Sequence, residues 1–350
     1  MENDIQQLII SEDMRIIDAM SHIDHARKGI AFLCNAENQL LAVLSDGDIR
    51  RYIIRNGDLM KPVSLVANYH FEFLPLEQKK QAKKVLREKH LRCLPIIDEN
   101  RMLVAVYFWD YTEAVAQRQP LNLPVVIQAG GKGTRLYPYT KILPKALIPI
   151  GDMTITERII QHFLQYQCND FYLIINHKKN MLKAYFSDIV HDYHISFVEE
   201  DKPLGTGGGL KMLENAIQTS FFLSNCDILI DSDYQQIYKE HKRQGSIATI
   251  ICAAKQTVIP YGTILLNEEG MVTGLQEKPS FSFIANTGMY LFEPEIFDYI
   301  PDHTFIHIPD VLQTCMKAEK KVGIFPVSEN QWSDMGQINE LKNMYHKFDL

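Results

Sequence analysis

The chain has 350 residues, more than one average domain, so its length predicts two domains. The composition, 46% hydrophobic and 23% charged, is that of an ordinary globular protein, and the net charge of −7 argues against nucleic acid or an anionic membrane as a partner, because both select a basic surface. The six cysteines form no C-x-x-C pair, no apolar run is long enough to cross a membrane and the N-terminus has no signal pattern, so we expect a cytoplasmic protein with reduced thiols.

The first 118 residues contain a weak internal repeat with an offset of 62 residues. The segment NQLLAVLS, which begins at Asn38, aligns with NRMLVAVY, which begins at Asn100, and this alignment places Asp48 over Asp110. Each copy predicts a helix, a strand, a turn, a second strand and then a helix that begins near the aspartate. A repeated unit of this size predicts two paired modules that share one core.

The segment LSDGDIRR, residues 44–51, resembles the strand-to-helix corner of a CBS motif. The resemblance implies that Ser45 and Asp48 hold the phosphate and ribose of an adenine nucleotide. The second copy has Tyr107 in place of the hydroxyl residue, which argues against a second nucleotide site. The alternative is that Asp48 and Asp110 are simply helix N-caps, so a nucleotide-binding pair and a purely structural or dimerising pair both stay open. Either kind of pair favours a homo-oligomer.

A linker separates this CBS-like pair, residues 1–118, from a second domain. The run TEAVAQRQPLNLP is polar and contains two prolines, so we place the linker at 119–123 and the second domain at 124–350. There, apolar strands alternate with amphipathic helices, which predicts an α/β fold with a mostly parallel, Rossmann-like sheet, preceded by the smaller α+β pair. The expected strands are 171–176, 194–199, 221–226 and 248–253, and the expected helices lie near 155–167, 179–189, 209–218 and 234–243.

A glycine loop follows the first strand of this domain. The strand, residues 125–127, is apolar and β-branched, and it leads into Gly130, Gly131 and Gly133. Glycines let backbone N–H groups approach an anion where a side chain would collide. Four cations lie in or after the loop, namely Lys132, Arg135, Lys141 and Lys145. Ligands bind beyond the carboxyl ends of such strands, so the segment predicts a phosphate site.

Two better-known phosphate loops do not fit this segment. A P-loop requires Ser or Thr directly after a Gly-Lys pair, whereas Lys132 lies between glycines. The dinucleotide fingerprint G-x-G-x-x-G would need a third glycine where Leu136 stands. The simple alternative that remains is a strand-to-loop turn with solvated cations.

Residues 130–152, GGKGTRLYPYTKILPKALIPIGD, resemble the G-G-x-G-T-R-L-x-P-x-T and P-K-x-L-x-P-I-G segments of the sugar-1-phosphate nucleotidylyltransferases. In that family this loop grips the nucleoside triphosphate. The resemblance therefore implies nucleotide contacts from Ala129, Gly130, Gly131, Gly133 and Thr134.

A second glycine loop, PLGTGGG, covers residues 203–209. Four glycines in five residues suggest close backbone approach to a flat or anionic group, although a plain turn before a helix is the alternative. In the family this loop lies against the nucleobase. The resemblance implies contacts from Pro203, Gly205, Thr206 and Gly207.

Two aspartates are the expected metal ligands. Asp227 ends the apolar strand FFLSNCD, where the resembling family has G-D or N-x-D and its metal ligand, and Asp334 lies in WSDMG, which resembles the W-x-D-x-G element of the family. An aspartate at a strand end is commonly a turn former, so each alone is weak evidence. Two carboxylates together with triphosphate oxygens and water suit octahedral Mg²⁺.

The expected sugar-side residues lie between positions 261 and 292. Gly262, Glu277 and Asn286 match the G, E-K-P and N-x-G-x-Y elements of the family, and Lys278 is the lysine of E-K-P. A glutamate can accept hydrogen bonds from sugar hydroxyls, and a lysine can neutralise the sugar phosphate. The alternative is that Glu277 and Lys278 form a solvated surface pair.

The resemblance implies transfer of a nucleoside monophosphate from a triphosphate, with GTP expected, to a sugar 1-phosphate. Arg135, Lys145 and Lys278 are the expected catalytic residues. Arg135 and Lys145 are expected to face anions present only with substrate, so their removal should leave the fold intact. The alternatives are a catalytically silent nucleotide or sugar-phosphate sensor and a glycosyltransferase, for which the D-x-D at 231–233 is better explained as a helix cap.

Overall fold

The computed structural model describes residues 5–26, 28–55, 57–89, 91–108, 120–189 and 192–336. The chain divides into two compact units. The first unit contains Met1–Val115, Ala253–Ala285 and Ser328–Asn330, and the second contains Ala116–Cys252, Asn286–Val327 and Gln331–Leu350. The predicted 119–123 linker lies partly outside the described residues. Leu123 is buried, and Leu121 N donates to Tyr166 O (2.8 Å), so this end of the segment packs within the second unit.

The strands are β1 (Ile9–Ser11), β2 (Ile30–Cys34), β3 (Leu40–Ser45), β4 (Leu74–Pro75), β5 (Cys93–Ile97), β6 (Leu103–Phe108), β7 (Val125–Gln128), β8 (Pro149–Ile150), β9 (Met153–Thr154), β10 (Asp170–Ile175), β11 (His194–Glu199), β12 (Phe221–Asn225), β13 (Ile228–Ile230), β14 (Ala248–Val258), β15 (Thr263–Leu266), β16 (Val272–Gln276), β17 (Ser280–Phe292), β18 (Val322–Ser328) and β19 (Trp332–Asp334). The α-helices are α1 (Ile16–Ala26), α2 (Asp46–Ile54), α3 (Ala82–Glu88), α4 (Tyr139–Ile142), α5 (Ile155–Leu164), α6 (Lys179–Asp188), α7 (Tyr234–Gln244) and α8 (Ile308–Lys317). No helix in the described part of the chain is long and apolar enough to cross a membrane.

The first unit contains two three-stranded sheets with the same pairing. In each, the first strand pairs in parallel with the second, which pairs antiparallel with the third: β1-β2-β3 and β4-β5-β6. One apolar cluster contains residues of both sheets, including Phe32 and Val43 from the first and Ile97 from the second. The sheets also touch directly, because Leu40 N donates to Arg101 O (2.9 Å). The two copies therefore share a core.

The structural repeat has an offset of 63, so the sequence alignment at 62 is wrong by one residue. Ile30 pairs with Ser45 in the first copy, and Cys93 pairs with Phe108 in the second. Because side chains alternate between the two faces of a strand, a slip of one residue exchanges the faces. Phe108 rather than Tyr107 therefore corresponds to Ser45, and Asp110 lies outside the described residues.

Ser45 and Asp48 form a capping box at the start of α2. Ser45 Oγ accepts from Asp48 N (3.2 Å), and Asp48 Oδ2 accepts from Ser45 N (2.9 Å). Asp48 also forms an ion pair with Arg51. Ser45 is therefore the N-cap of α2 and Asp48 is the N3 residue of the capping box, so both side chains cap the helix, although Asp48 is not the N-cap that the sequence alternative named.

The antiparallel hairpin β15–β16 groups with the first unit, although it lies far along the chain. Arg15 Nη1 donates to Ser280 Oγ (3.4 Å), and Ser282 Oγ donates to Met60 Sδ (2.9 Å). The first unit is therefore built from segments that lie more than two hundred residues apart in the sequence.

The second unit is organised around a seven-stranded sheet of order β11-β10-β7-β12-β17-β14-β18. Strands β11, β10, β7 and β12 are parallel, and β17 is antiparallel to β12. Val125, Val126 and Ile127 of β7 are fully buried, as a strand covered on both faces requires, and each contributes about 1.5–3 kcal/mol of hydrophobic stabilisation. The predicted α/β class with a mainly parallel sheet is confirmed.

One predicted helix takes a different form. Residues 209–218 were expected to be an amphipathic helix, but the structure has a 3₁₀ helix over Gly208–Leu213 followed by turns. Three glycines in a row favour extended and turn conformations at the helix start, which explains the loss of regular α-helix there. The helices expected near 155–167, 179–189 and 234–243 form as α5, α6 and α7.

Candidate active site

A pocket of about 860 Å³ opens where the parallel strands of the second unit end. Gly130 and Gly131 follow β7, Glu200 follows β11, and Asp227 follows β12, and all four residues line the pocket. All of the lining residues belong to the second unit. Because the carboxyl ends of parallel strands meet at one edge, the fold brings these distant segments together.

The first glycine loop is shaped by its contact with the segment that follows it. Gly133 has φ 63°, and a Cβ there would lie 2.9 Å from Thr140 Cγ2 and 3.1 Å from Lys145 Cβ. Thr140 Oγ1 donates to Gly133 O (2.7 Å), and Lys178 Nζ donates to Thr140 O (3.0 Å). The loop is thus folded back so that Lys145 lies beside it.

Several residues of this loop are open to solvent. Gly130, Gly131, Gly133 and Thr134 line the pocket, while Ala129 is buried and donates its N–H to Ile174 O (2.8 Å). Arg135 lines the pocket and is exposed, and among the described residues its charge acts on Asp334, whose pKa it lowers slightly, without a direct ion pair. A guanidinium in this state is free to bind an anion bidentately.

The glycines of the second loop leave space for another segment of the same chain, residues 304–308. A Cβ on Gly205, which has φ 80°, would collide with Ile306 O, and one on Gly208 would collide with Thr304 O. Gly207 N donates to Ile306 O (2.9 Å). The expected approach of a flat ligand is therefore not needed to explain these glycines, because the segment 304–308 already packs against them.

Thr206 is held in place at this end of the pocket. Gln128 Nε2 donates to Thr206 O (2.9 Å), and Thr206 Oγ1 accepts from Ile308 N (3.1 Å). The exposed Phe305 packs edge-on against His307 with ring centroids 5.0 Å apart. Pro203, Gly205 and Thr206 line the pocket together with these aromatic side chains.

Glu200 is the most deeply buried acidic side chain at this end. It is 5% exposed, and burial raises its pKa, whereas a hydrogen bond from the backbone of Leu204 acts in the opposite direction. Its Oε1 has no hydrogen-bond partner in the described part of the chain. The glycines at 130 and 209 leave the space that this carboxyl group occupies.

At the other end of the pocket lie the two predicted metal ligands. β13 pairs antiparallel with β19 so that Ile228 faces Asp334, and Met335 N donates to Asp227 O (3.0 Å). Burial raises the pKa of Asp334, and the charge of Asp227 raises it further, against smaller opposing effects of Gly336 N–H, Lys145 and Arg135. The structure thus places Asp227 and Asp334 side by side, as a shared metal requires.

Lys145 forms an ion pair with Asp227, and the two side chains are only 14% and 7% exposed. The expectation that Lys145 faces anions only when substrate is bound is therefore wrong. Because both side chains are buried, removal of either one leaves the other charge without compensation and destabilises the protein.

These carboxylates fit a Mg²⁺ that is completed by a ligand. Within the described ranges no group of three or more His, Cys, Asp or Glu side chains is arranged to hold a metal ion. Burial, and then repulsion by Asp227, raise the pKa of Asp334, so the two carboxylates attract a cation. They supply too few of the six oxygens that Mg²⁺ requires. The residues present therefore suit a metal that arrives with phosphate.

Of the sugar-side residues, Asn286 lies in the second unit and lines the pocket. Its Nδ2 donates to Tyr290 Oη (2.8 Å), and its Oδ1 accepts from Gly288 N (3.0 Å). Gly262, Glu277 and Lys278 belong to the first unit, where they are exposed at the ends of β15 and β16. A Cβ on Gly262 would lie 3.0 Å from Glu277 Oε2, so these two residues are neighbours.

Sequence reasoning missed Gln128, Glu200, Asn225, Phe305 and His307, which also line the pocket. Glu200 carries the signal that identified Asp227, because it directly follows a parallel strand. Phe305 and His307 carry no such signal, since only the packing of residues 304–308 on the second glycine loop brings them to the pocket. The D-x-D sequence at 231–233 is accounted for, since Asp233 accepts from Gln235 N (3.0 Å) as the N-cap of α7.

The parallel sheet and the pocket at its carboxyl edge define a Rossmann-like α/β protein. Residues 124–348 match the family model described as nucleotidyl transferase, and the chain belongs to this family. The predicted family membership is confirmed for this part of the chain.

Relatives in the family are named as sugar-1-phosphate nucleotidyltransferases. The UTP–glucose-1-phosphate uridylyltransferase of Synechocystis sp. is 34% identical over 198 residues, which cover 51% of this chain and 51% of that protein. The mannose-1-phosphate guanyltransferase of Candida albicans is 28% identical over 222 residues, which cover 61% of this chain and 60% of that protein. The chain thus spans between half and three fifths of the length of these curated relatives.

Solved structures agree on the fold. HddC from Yersinia pseudotuberculosis aligns with a TM-score of 0.52 and 24% identity, covering 65% of this chain and 99% of that one. The same protein complexed with GMP-PN aligns with a TM-score of 0.50 and 21% identity, with 65% and 99% coverage.

Proposed function

We propose that this protein transfers a nucleoside monophosphate from a nucleoside triphosphate to a sugar 1-phosphate and releases pyrophosphate. The observation that most supports this is the arrangement of one pocket, in which a glycine loop with Arg135 lies beside Lys145 and the paired carboxylates of Asp227 and Asp334. Two cations and a carboxylate pair beyond a parallel sheet suit a polyphosphate that arrives with a divalent metal. The names of the relatives describe the same reaction class.

The chemistry needs no general base. An oxygen of the sugar phosphate attacks the α-phosphorus, a new P–O bond forms, and the bond to the β-phosphate oxygen breaks so that pyrophosphate leaves. A phosphate monoester is already mostly dianionic at neutral pH, because its second pKa is about 6. The site must therefore bring two anions together and stabilise the charge that develops on the leaving group.

The roles follow from charge and position. Arg135 and the backbone N–H groups of the first loop suit the β- and γ-phosphates. Lys145 suits the α-phosphate, to which it would bind after leaving its ion pair with Asp227. Asn286, which lines the pocket, suits the sugar hydroxyls. The assignments of Lys278 to the sugar phosphate and of Gly262 and Glu277 to the sugar hydroxyls rest on the sequence resemblance alone. Asp227 and Asp334 would hold Mg²⁺, which supplies positive charge at the phosphate oxygens when bound.

GTP is the proposed triphosphate, because the PLGTGG loop resembles those of the guanylyltransferases in the family. A pyrophosphate-release assay with four triphosphates and several sugar 1-phosphates is expected to give the highest kcat/KM with GTP, by at least about tenfold over UTP, CTP and dTTP. A preference for a pyrimidine triphosphate would contradict the choice of base. No pyrophosphate release with any combination would contradict the transferase function itself.

For the first unit we propose self-association, with adenine-nucleotide binding through Ser45 and Asp48 as a further hypothesis. The shared apolar core of the two copies supports paired modules, and the capping box supplies a hydroxyl and a carboxylate at a helix N-terminus. Sedimentation of the full chain is expected to give a dimer.

Ser45→Ala is expected to destabilise the protein by about 1 kcal/mol through loss of the cap. AMP binding of unchanged affinity in this variant, measured by calorimetry, would remove Ser45 from any nucleotide site.

A further inference from the structure

Residues 136–144, here called the connecting segment, join the two cations that are proposed to bind phosphate. Arg135 and Lys145 at its two ends line the pocket, whereas the helix α4 between them does not. This helix contains only 4 residues. A helix shorter than about 12 residues is not stable by itself in water. The position of the connecting segment is therefore fixed by contacts with other parts of the chain.

One side chain from outside the segment makes two of these contacts. Lys178 Nζ donates to Thr140 O (3.0 Å) and to Lys141 O (2.7 Å). Thr140 is 1% exposed, and its Oγ1 donates to Gly133 O (2.7 Å). A Cβ on Gly133 would lie 3.1 Å from Lys145 Cβ, so the glycine packs directly on this lysine. A continuous series of contacts thus leads from Lys178 to Lys145.

The backbone of Lys178 has an unusual conformation. The residue lies in the turn between β10 and α6 with φ 55° and ψ 30°, in the left-handed region. A residue with a Cβ is disfavoured in this region, where glycine is adopted without cost. A lysine at such a position indicates that its side chain has a use. That use is not contact with a ligand in the pocket, because Lys178 does not line it.

We propose that Lys178 is a positioning residue for the nucleotidyl transfer, whose ammonium group holds α4 so that Gly133 and Lys145 stay in place for the triphosphate. This inference rests on the proposed function. The carbonyl groups in the last turn of a helix lack partners within the helix and carry partial negative charge, which suits an ammonium group with three donors. Without Lys178 the connecting segment takes up other positions, and the triphosphate binds only the competent fraction of the protein.

The expected result is a rise in KM with little change in kcat. Lys178→Met should raise the KM for the best triphosphate about tenfold to a hundredfold, the factor that hydrogen bonds from a charged donor contribute. Bound triphosphate restores the arrangement, so kcat at saturation should stay within about twofold of the wild type. Lys178→Arg should recover most of the affinity, because a guanidinium group can also donate to two carbonyl oxygens.

Hydrogen exchange without ligand measures the positioning itself. The backbone amides of residues 139–143 should exchange faster in Lys178→Met than in the wild type and in Lys178→Arg. Lys178→Gly removes the ammonium group and the disfavoured backbone conformation together, so it keeps the proposal testable if Lys178→Met does not fold. It should show the same rise in KM. The matched control is Lys179→Met, which removes the neighbouring cation, paired with Glu199 and outside the pocket, and should leave KM and the exchange of residues 139–143 unchanged.

Three results would overturn the proposal. A wild-type KM and wild-type exchange in Lys178→Gly would show that the ammonium group holds nothing in place. A fall in kcat at unchanged KM would place Lys178 at the reacting groups, and an equal loss in Lys178→Arg and Lys178→Met would show that donation to the two carbonyl groups is not its role. The exchange measurement needs no substrate, so it tests the positioning separately from the transferase function, which is judged by pyrophosphate release in the wild type.

Discussion

Lys145→Ala is expected to lower kcat by about a hundredfold to a thousandfold, because a cation held at a charge-developing site contributes this much to catalysis. It is also expected to destabilise the unliganded protein. Lys145 is the partner of Asp227, which is 7% exposed and lies beside the half-buried Asp334, so the variant leaves two neighbouring carboxylates without their cation. Loss of one member of a buried pair costs on the order of 3 kcal/mol.

The measurement is steady-state kinetics beside denaturant unfolding without ligand. The matched control is Arg135→Ala, which removes an exposed cation that forms no direct ion pair in the described ranges and only slightly lowers the pKa of Asp334. This control should lose activity at nearly unchanged stability. Adding Asp227→Asn to Lys145→Ala should restore stability but not turnover. Wild-type stability in Lys145→Ala alone would contradict the ion pair, and wild-type turnover would contradict the catalytic role.

Asp227→Asn and Asp334→Asn are expected to reduce Mg²⁺-dependent turnover alike, by about a hundredfold or more, and to change stability in opposite directions. Asp227→Asn removes the counter-charge of Lys145 and should destabilise the unliganded protein. Asp334→Asn removes a carboxylate whose charged form is disfavoured by burial and by Asp227, and it should stabilise the protein at neutral pH.

The pH dependence follows from the direction of the Asp334 shift. Because the folded state holds this proton more tightly than the unfolded state, ionisation of Asp334 costs stability once the pH rises above its ordinary pKa near 3.8. The gain from Asp334→Asn should therefore be full at neutral pH and vanish as the pH falls toward 3.8. Thermal unfolding across this range, with Mg²⁺ titrations of activity and nucleotide affinity, provides the check. A Mg²⁺ dependence that either variant leaves unchanged would exclude that aspartate from the metal site.

The sequence predicted the strands of the second unit well, because fully buried parallel strands appear as continuous β-branched and aromatic runs. It also predicted that the first glycine loop and Asp227 lie at one edge, since both follow parallel strands. It did not predict that Lys145 and Asp227 pair with each other, because the order of motifs does not specify which charges meet before a ligand arrives.

Other errors have equally local causes. The repeat offset was wrong because identical residues align at 62, whereas strand pairing, with a bulge in each copy at Leu33/Cys34 and Ile96/Ile97, fixes 63. The glycines at 205 and 208 also have a cause that the sequence does not reveal, because the chain's own segment 304–308 packs against them. A glycine in the sequence indicates that another group approaches the backbone closely, but it does not indicate whether that group is a ligand or another part of the chain.

The first unit is built from separate segments of the chain, and this affects both its folding during synthesis and the result of truncating the chain. Residues 253–285 leave the ribosome more than a hundred residues after the first 115, so the contacts of Arg15 with Ser280 and of Met60 with Ser282 cannot form while the N-terminal sheets are still emerging alone. Completion of that unit must wait until the central β-strands of the second unit have been translated. A chain that starts at residue 124 retains the β15–β16 hairpin but lacks Arg15 and Met60, so removal of the N-terminal segment takes away part of a folded unit rather than a detachable domain.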